Sequence, residues 1–139
     1  MGKKTKISFD FDSTLSRPDI QDFVKELTRK DVEIWICTSR FEDGIDETGK
    51  NWNKDLFLVA KNLDIPIERI IFTNWKDKKD YLENIDFLIH LDDDYVELDK
   101  INKYTKTKGI SVTNTTQWKK KVLKILNNKK INYENFNWI

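Results

Sequence analysis

Short apolar, β-branched runs alternate along this chain with segments whose apolar residues recur at helical spacing, and this alternation leaves few folds open. The runs are Lys6 to Phe11 (KISFDF), Val32 to Cys37 (VEIWIC), Arg69 to Thr73 (RIIFT), Ile85 to Leu91 (IDFLIHL) and Gly109 to Thr113 (GISVT). Each has the length of a strand and is too apolar for an exposed edge. Between them Ile20, Phe23, Val24 and Leu27 form a helical stripe behind Pro18 and Asp19, which suit a first turn. Leu56, Val59, Ala60 and Leu63 repeat the stripe and stop before Pro66. Weaker stripes occur at Leu98 and Ile101, and at Trp118, Val122, Ile125 and Leu126 behind a Thr115 or Thr116 cap. Five β-then-α units predict an α/β fold: a parallel sheet with helices on both faces and right-handed crossovers.

At 139 residues the chain fits a single domain over 1–139, with a core over about 5–128 and a tail over 129–139. Two stretches depart from the pattern. Arg40 to Asp55 is polar and holds two glycines, which marks a loop or lid. The tail carries Tyr133, Phe136, Trp138 and Ile139 and is expected to dock on the body or on another subunit. With 35% charged residues and no apolar stretch near the roughly 18 residues a bilayer requires, no membrane partner is expected. The N-terminus lacks a secretory pattern and the single Cys37 lies in a strand, so the expected location is cytoplasmic and the thiol is read as packing. The net charge of +1 conceals ten lysines and no acid between Lys100 and Lys130. A solvated helical face explains such a run, and a footprint for an anionic polymer is the sharper alternative.

Chemistry-bearing residues gather where the strands end. Asp10, Asp12, Ser13 and Thr14 follow the first run; Thr38, Ser39 and Arg40 the second; Lys76, Lys78 and Lys79 the third; Asp92, Asp93 and Asp94 the fourth. Helix capping accounts for any one of these clusters but not for all four at the same sheet edge, which is where ligands bind in open parallel sheets. Carboxylates about 4 Å apart repel by roughly 4 kcal/mol at an effective dielectric near 20, so a cation is expected among them. With oxygen donors only, a hard divalent ion, Mg²⁺, fits best. His90 lies inside a strand and is expected to face the interior rather than the metal.

Those motifs resemble the haloacid dehalogenase-like superfamily of phosphohydrolases: Asp-x-Asp-x-Thr in DFDST, a Thr closing the next strand in ICTSR, a Lys in NWKDKKDYL, and an acidic group in HLDDD. The resemblance covers about Ile7 to Thr113. It implies a three-layer Rossmann-like sheet in the order 5-4-1-2-3 and a Mg²⁺-dependent phosphomonoesterase working through an aspartyl-phosphate. Asp10 would be the nucleophile and Asp12 the general acid and base, meeting the metal through its backbone carbonyl. Thr38 and Ser39 would hold the phosphoryl group, with Lys78 preferred over Lys76 and Lys79 for neutralising it. Asp10, Asp12 and Asp93 would hold the metal, with Asp92 or Asp94 in support. Many members carry Gly where Ser13 stands; DFDSTL looks instead like the phosphoserine phosphatases. Those enzymes have a cap domain, and only about 27 residues separate the first two motifs here, so the chain resembles the capless branch.

The expected partner is a phosphorylated substrate. A weaker likeness to the 3′-phosphatase domain of phage polynucleotide kinase-phosphatases suggests nucleic-acid ends, with Arg40 clamping phosphate and Trp52 or Trp75 stacking a base. Nucleotides, other small phosphoesters and phosphoproteins are the alternatives, as is a catalytically silent binding module. A receiver domain of two-component signalling fits less well, because its phosphoacceptor Asp follows the third strand and RIIFTN offers none. The oligomeric state is left open.

Overall fold

Strand pairing follows the apolar runs. In the computed structural model, residues 4–45, 47, 49, 51–113 and 116–137 are described, with side chains as far as residue 129. The elements are β1 (Thr5–Phe9), α1 (Pro18–Leu27), β2 (Val32–Thr38), α2 (Lys54–Asn62), β3 (Ile70–Phe72), α3 (Lys78–Glu83), β4 (Phe87–Asp92), α4 (Tyr95–Tyr104), β5 (Lys108–Ser111) and α5 (Gln117–Asn137). All strand pairs are parallel and the sheet runs β3-β2-β1-β4-β5, which is the anticipated order read from its other edge.

Alternation along the strands divides the core. Ile7, Phe9, Ile34, Ile36, Ile89 and Leu91 pack with buried residues of α1, α2 and α5, including Phe23, Leu56 and Trp118. Cys37 and Phe87, with Trp35 and Ile71 beside them, pack with Leu82 of α3 and Ile101 of α4. Successive strand residues face opposite ways, and in β4 the register shifts between Lys6–Phe87 and Ile7–Ile89, which separates Phe87 from Ile89 and Leu91, so helices cover both faces. The Phe23 and Trp118 rings meet edge to face with centroids 5.1 Å apart, joining α1 to α5 with about 0.5–1.5 kcal/mol beyond simple burial.

Most strand ends move by one or two residues from the expected runs, and three departures matter more. β1 stops at Phe9, because the chain winds into a tight turn over Phe11–Leu15 in which Leu15 N–H donates to Asp10 O and Ser16 N–H to Phe11 O. Short α3 has no apolar stripe legible in the sequence. The last helix continues through Asn137, so the backbone of residues 129–137 extends α5 rather than forming a separate tail; no Pro or Gly interrupts it. Thr115, Trp138, Ile139 and the side chains of Tyr133 and Phe136 lie outside the described residues, and with them the docking expected of the tail. Among the described residues no helix is long and apolar enough to cross a membrane.

β1 is the strand at which the winding reverses. β2 and β3 lie to one side of it and β4 and β5 to the other. Phe9 pairs with Leu91, and Asp10 N–H donates to Leu91 O at 2.9 Å, so the exits of β1 and β4 are side by side. Edge strand β5 is held from outside: Asn102 accepts from Gly109 N–H at 2.8 Å and donates to Gly109 O at 3.2 Å. A methyl group at Gly109 would stand 2.9 Å from Leu98 Cδ2 and 3.3 Å from Leu98 O. Gly109→Ala is therefore expected to cost about 1–3 kcal/mol, read as a lower urea midpoint at unchanged slope.

Candidate active site

At the carboxyl edge the structure brings together Asp10, Lys78, Asp92 and Asp93. Asp10 follows β1, Asp92 ends β4, Asp93 is the next residue, and Lys78 opens α3. One carboxylate oxygen from each of Asp10, Asp92 and Asp93 lies within 4.8 Å of the others. Lys78 Nζ donates to Asp10 Oδ1 at 2.9 Å and to Asp92 Oδ2 at 2.6 Å, and its side chain is only 2% exposed. Of the three lysines weighed from sequence, Lys76 is exposed and Lys79 pairs with Asp80, leaving Lys78 at the carboxylates. Its backbone N–H donates to Glu97 Oε2 at 3.1 Å, fixing the start of α3 against α4.

Asp92 is fully buried and each of its oxygens is engaged. Oδ1 accepts from Asp94 N–H at 3.0 Å, and Oδ2 also meets His90 Nε2 at 2.8 Å. Ser8 Oγ lies 2.7 Å from His90 Nδ1, its register partner across β1 and β4. An ionised carboxylate only accepts, so Nε2 carries the imidazole proton and Nδ1 accepts from the Ser8 hydroxyl. Burial pushes His90 below its ordinary pKa, so the ring stays neutral. Burial acts against the charge on Asp92, but the His90 hydrogen bond and the Lys78 ammonium outweigh it and hold the carboxyl below the usual range.

Asp10 responds in the opposite sense. Burial first, then the neighbouring charge of Asp92 and a hydrogen bond with Asp93, raise it from 3.8 to about 8 against the pull of Lys78. One ammonium does not offset the crowded acids, a deficit that favours the protonated form of Asp10. An oxygen-only donor set with that deficit fits a hard divalent cation. Asp93 is partly exposed, whereas the Asp94 side chain caps α4 by accepting from Val96 N–H at 2.9 Å and lies outside the cluster.

Asp12 and Arg40 form a second group. Arg40 Nη2 and Nε donate to Asp12 Oδ1 and Oδ2 at 2.6 and 3.0 Å; Nη1 and Nη2 donate to Asp55 at 2.7 and 3.1 Å; Nη1 also reaches Trp52 O at 3.0 Å. The guanidinium carbon stands 4.9 Å from the centroid of the Phe11 ring. The Asp12 carboxylate thus points to Arg40, and the guanidinium donors expected to clamp phosphate are occupied by protein oxygens. Thr38 is buried with Oγ1 accepting from Arg40 N–H at 3.2 Å, and Ser39 is half-buried beside it.

The loop from Arg40 to Asp55 is strapped rather than open where it is described. Ile45 and Asn51 form an antiparallel bridge, Trp52 N–H donates to Gly44 O, and Asn53 Nδ2 donates to Phe41 O. Asp46, Thr48 and Lys50 lie outside the described residues. The exit of β3 is tied to that of β2 by Thr73 N–H to Thr38 O, Trp75 N–H to Ser39 O and Asn74 N–H to Arg40 O. Ser13, Asn74 and Trp75 adopt φ of +58°, +54° and +65°. For a side chain as large as Trp this region costs about 1–2 kcal/mol. Ser13 occupies a backbone conformation that glycine adopts freely, which accounts for Gly at this position in the proteins the motif resembles.

Four participants escaped sequence reasoning: Ser8, His90 as the partner of Asp92, Glu97, and Asp55. For Ser8 and His90 a signal existed, since both interrupt otherwise apolar strands. Asp55 carried none. Burial raises the Cys37 thiol, in keeping with its reading as packing. No family model, curated protein or solved structure matches this chain.

Lys78→Met leaves the buried Asp10 and Asp92 without their cation and is expected to destabilise the metal-free protein by about 3–5 kcal/mol in chemical denaturation. A pH effect follows from Asp10. The folded chain keeps its proton up to about pH 8, whereas the unfolded chain releases it near 3.8. The associated stabilisation is whole below about pH 4 and disappears as pH rises towards 8. In chelator-treated protein the melting temperature should decline over that window more steeply than in Asp10→Asn.

Proposed function

We propose that the chain is a Mg²⁺-dependent phosphomonoesterase of the capless haloacid dehalogenase-like type, with a three-layer Rossmann-like sheet and a cytoplasmic location. The observation that carries this reading is the convergence of Asp10, Asp92 and Asp93 around one point at the sheet's switch strand, with Lys78 between two of them. A bound Mg²⁺, held by Asp10, Asp93 and the Asp12 backbone carbonyl with Asp92 behind, would supply positive charge to the phosphoryl oxygens and keep Asp10 ionised.

Asp10 attacks phosphorus, its oxygen bonding as the bond to the ester oxygen breaks, and the departing alkoxide takes a proton from Asp12. An aspartyl-phosphate remains. Water then attacks phosphorus, giving its proton to Asp12, and inorganic phosphate leaves as the Asp10 carboxylate is restored. Lys78 neutralises charge on the transferring group, and the Thr38 hydroxyl and the Ser39 segment hydrogen-bond its oxygens. Asp12 accepts from Arg40 through both oxygens, so proton donation requires one of those bonds to open, and Asp55 is placed to retain Arg40 while it does. The Ser8–His90 pair holds Asp92 in place and thereby orients Lys78.

The polymer reading of the lysine-rich segment receives less support. In α5, Lys119 pairs with Glu26 near the end of α1 and Lys129 reaches Thr5 at the start of β1, the edge opposite the carboxylates. In Mg²⁺ the protein should release phosphate from p-nitrophenyl phosphate, and Asp10→Asn should reduce the rate by about a thousandfold or more. Absence of release with every divalent ion tried, from folded protein, would overturn the assignment.

A further inference from the structure

An aromatic cleft shares Arg40 with the Asp12 group, and no step proposed above uses its aromatic wall. It encloses about 930 Å³ between the strapped loop and the exit of β3, and is lined by Phe41, Ile45, Trp52, Leu58 and Trp75 together with Arg40. Its size is that of a small-molecule site. These apolar side chains are exposed rather than packed, Trp52 at 65% and Trp75 at 74%. Trp75 is held there by its N–H bond to Ser39 O, despite its left-handed backbone. Arg40 belongs to both regions: one side of its guanidinium holds Asp12 and the same group lines the cleft.

We infer that this cleft receives the base of a single nucleotide whose phosphate lies at Asp10. The inference rests on the phosphatase reading for its direction: the leaving oxygen meets Asp12, so the organic group continues past Arg40 into the cleft. A flat ring stacks on exposed indole, and an aliphatic sugar phosphate has no comparable partner there. Charge selects a mononucleotide over a strand. Asp43 and Asp55 offset Arg40 and Lys54 among the lining residues, so the cleft offers no net positive track for further phosphates.

Binding is tested separately from turnover. The 139-residue chain is titrated with adenosine, which has no phosphate, and tryptophan fluorescence is read for wild type, Trp52→Ala, Trp75→Ala and Trp75→Asn; the last suits a left-handed backbone, and circular dichroism verifies folding. Quenching by adenosine, weakened about tenfold by each substitution, is the expected result. In Mg²⁺ the ratio of kcat/KM for adenosine monophosphate, tried with 3′ and 5′ phosphate, to that for glycerol phosphate should fall by a similar factor. No quenching, or quenching that none of the substitutions alters, overturns the inference. So does a longer 3′-phosphorylated oligonucleotide that binds more tightly than the mononucleotide and loses that advantage in salt. If no ester is hydrolysed, the phosphatase reading fails and the adenosine titration still decides whether the cleft binds a base.

Discussion

A single buried ammonium holds this edge of the sheet together. Lys78 bridges Asp10 after β1 and Asp92 at the end of β4. Without it, two adjacent acids would face each other in a medium where their repulsion is poorly screened. The lysine is in turn placed by α3, whose first N–H is held by Glu97, while Lys100 pairs with Asp77 just ahead of it. The α3–α4 layer is therefore more than a cover for one sheet face. It delivers the counter-charge that lets β1 and β4 end in carboxylates.

That charge is incomplete, and the shortfall gives the site its character. Asp92 is saturated by Lys78, His90 and the Asp94 N–H, so it stays ionised and fixed. Asp10 is raised in pKa by burial and by Asp92, because the acids there outnumber the cation. Neighbouring carboxylates are thus driven apart in pKa, Asp10 upward by burial and the charge of Asp92, and Asp92 downward by His90 and Lys78, a pattern associated with acid–base and nucleophilic chemistry. A divalent ion at the same point would favour the ionised form of Asp10, the form that the proposed mechanism requires.

Around this centre the exits of the strands are fastened to one another. Backbone bonds run from the β3 exit to Thr38, Ser39 and Arg40, and Arg40 joins Asp12 to Asp55 across the mouth. Among the described residues, three of the four non-glycine residues with positive φ, Ser13, Asn74 and Trp75, lie in these exits; the fourth, Asp64, follows the end of α2. Strain persists where surrounding bonds over-determine the backbone. Here it fixes side chains that a relaxed loop would leave to wander.

The alternation of apolar runs and helical stripes was sufficient to specify five parallel strands and the edge at which polar residues gather, because periodicity records which face of each element is buried; the strand order was expected only from the motif resemblance. Within the polar clusters, Asp10, Asp93 and Lys78 were preferred on the motif resemblance, and the structure brings them to one point. What the alternation could not specify were partners brought together by the fold: Lys78 on both Asp10 and Asp92, Ser8 on His90 and His90 on Asp92, Arg40 divided between Asp12 and Asp55, and Trp52 and Trp75 lining one cleft. A residue type states what a side chain is able to bind. Which group it binds depends on strand register, on loop geometry and on the loss of water that makes a buried charge require a specific neighbour, and these exist only once the sheet has formed.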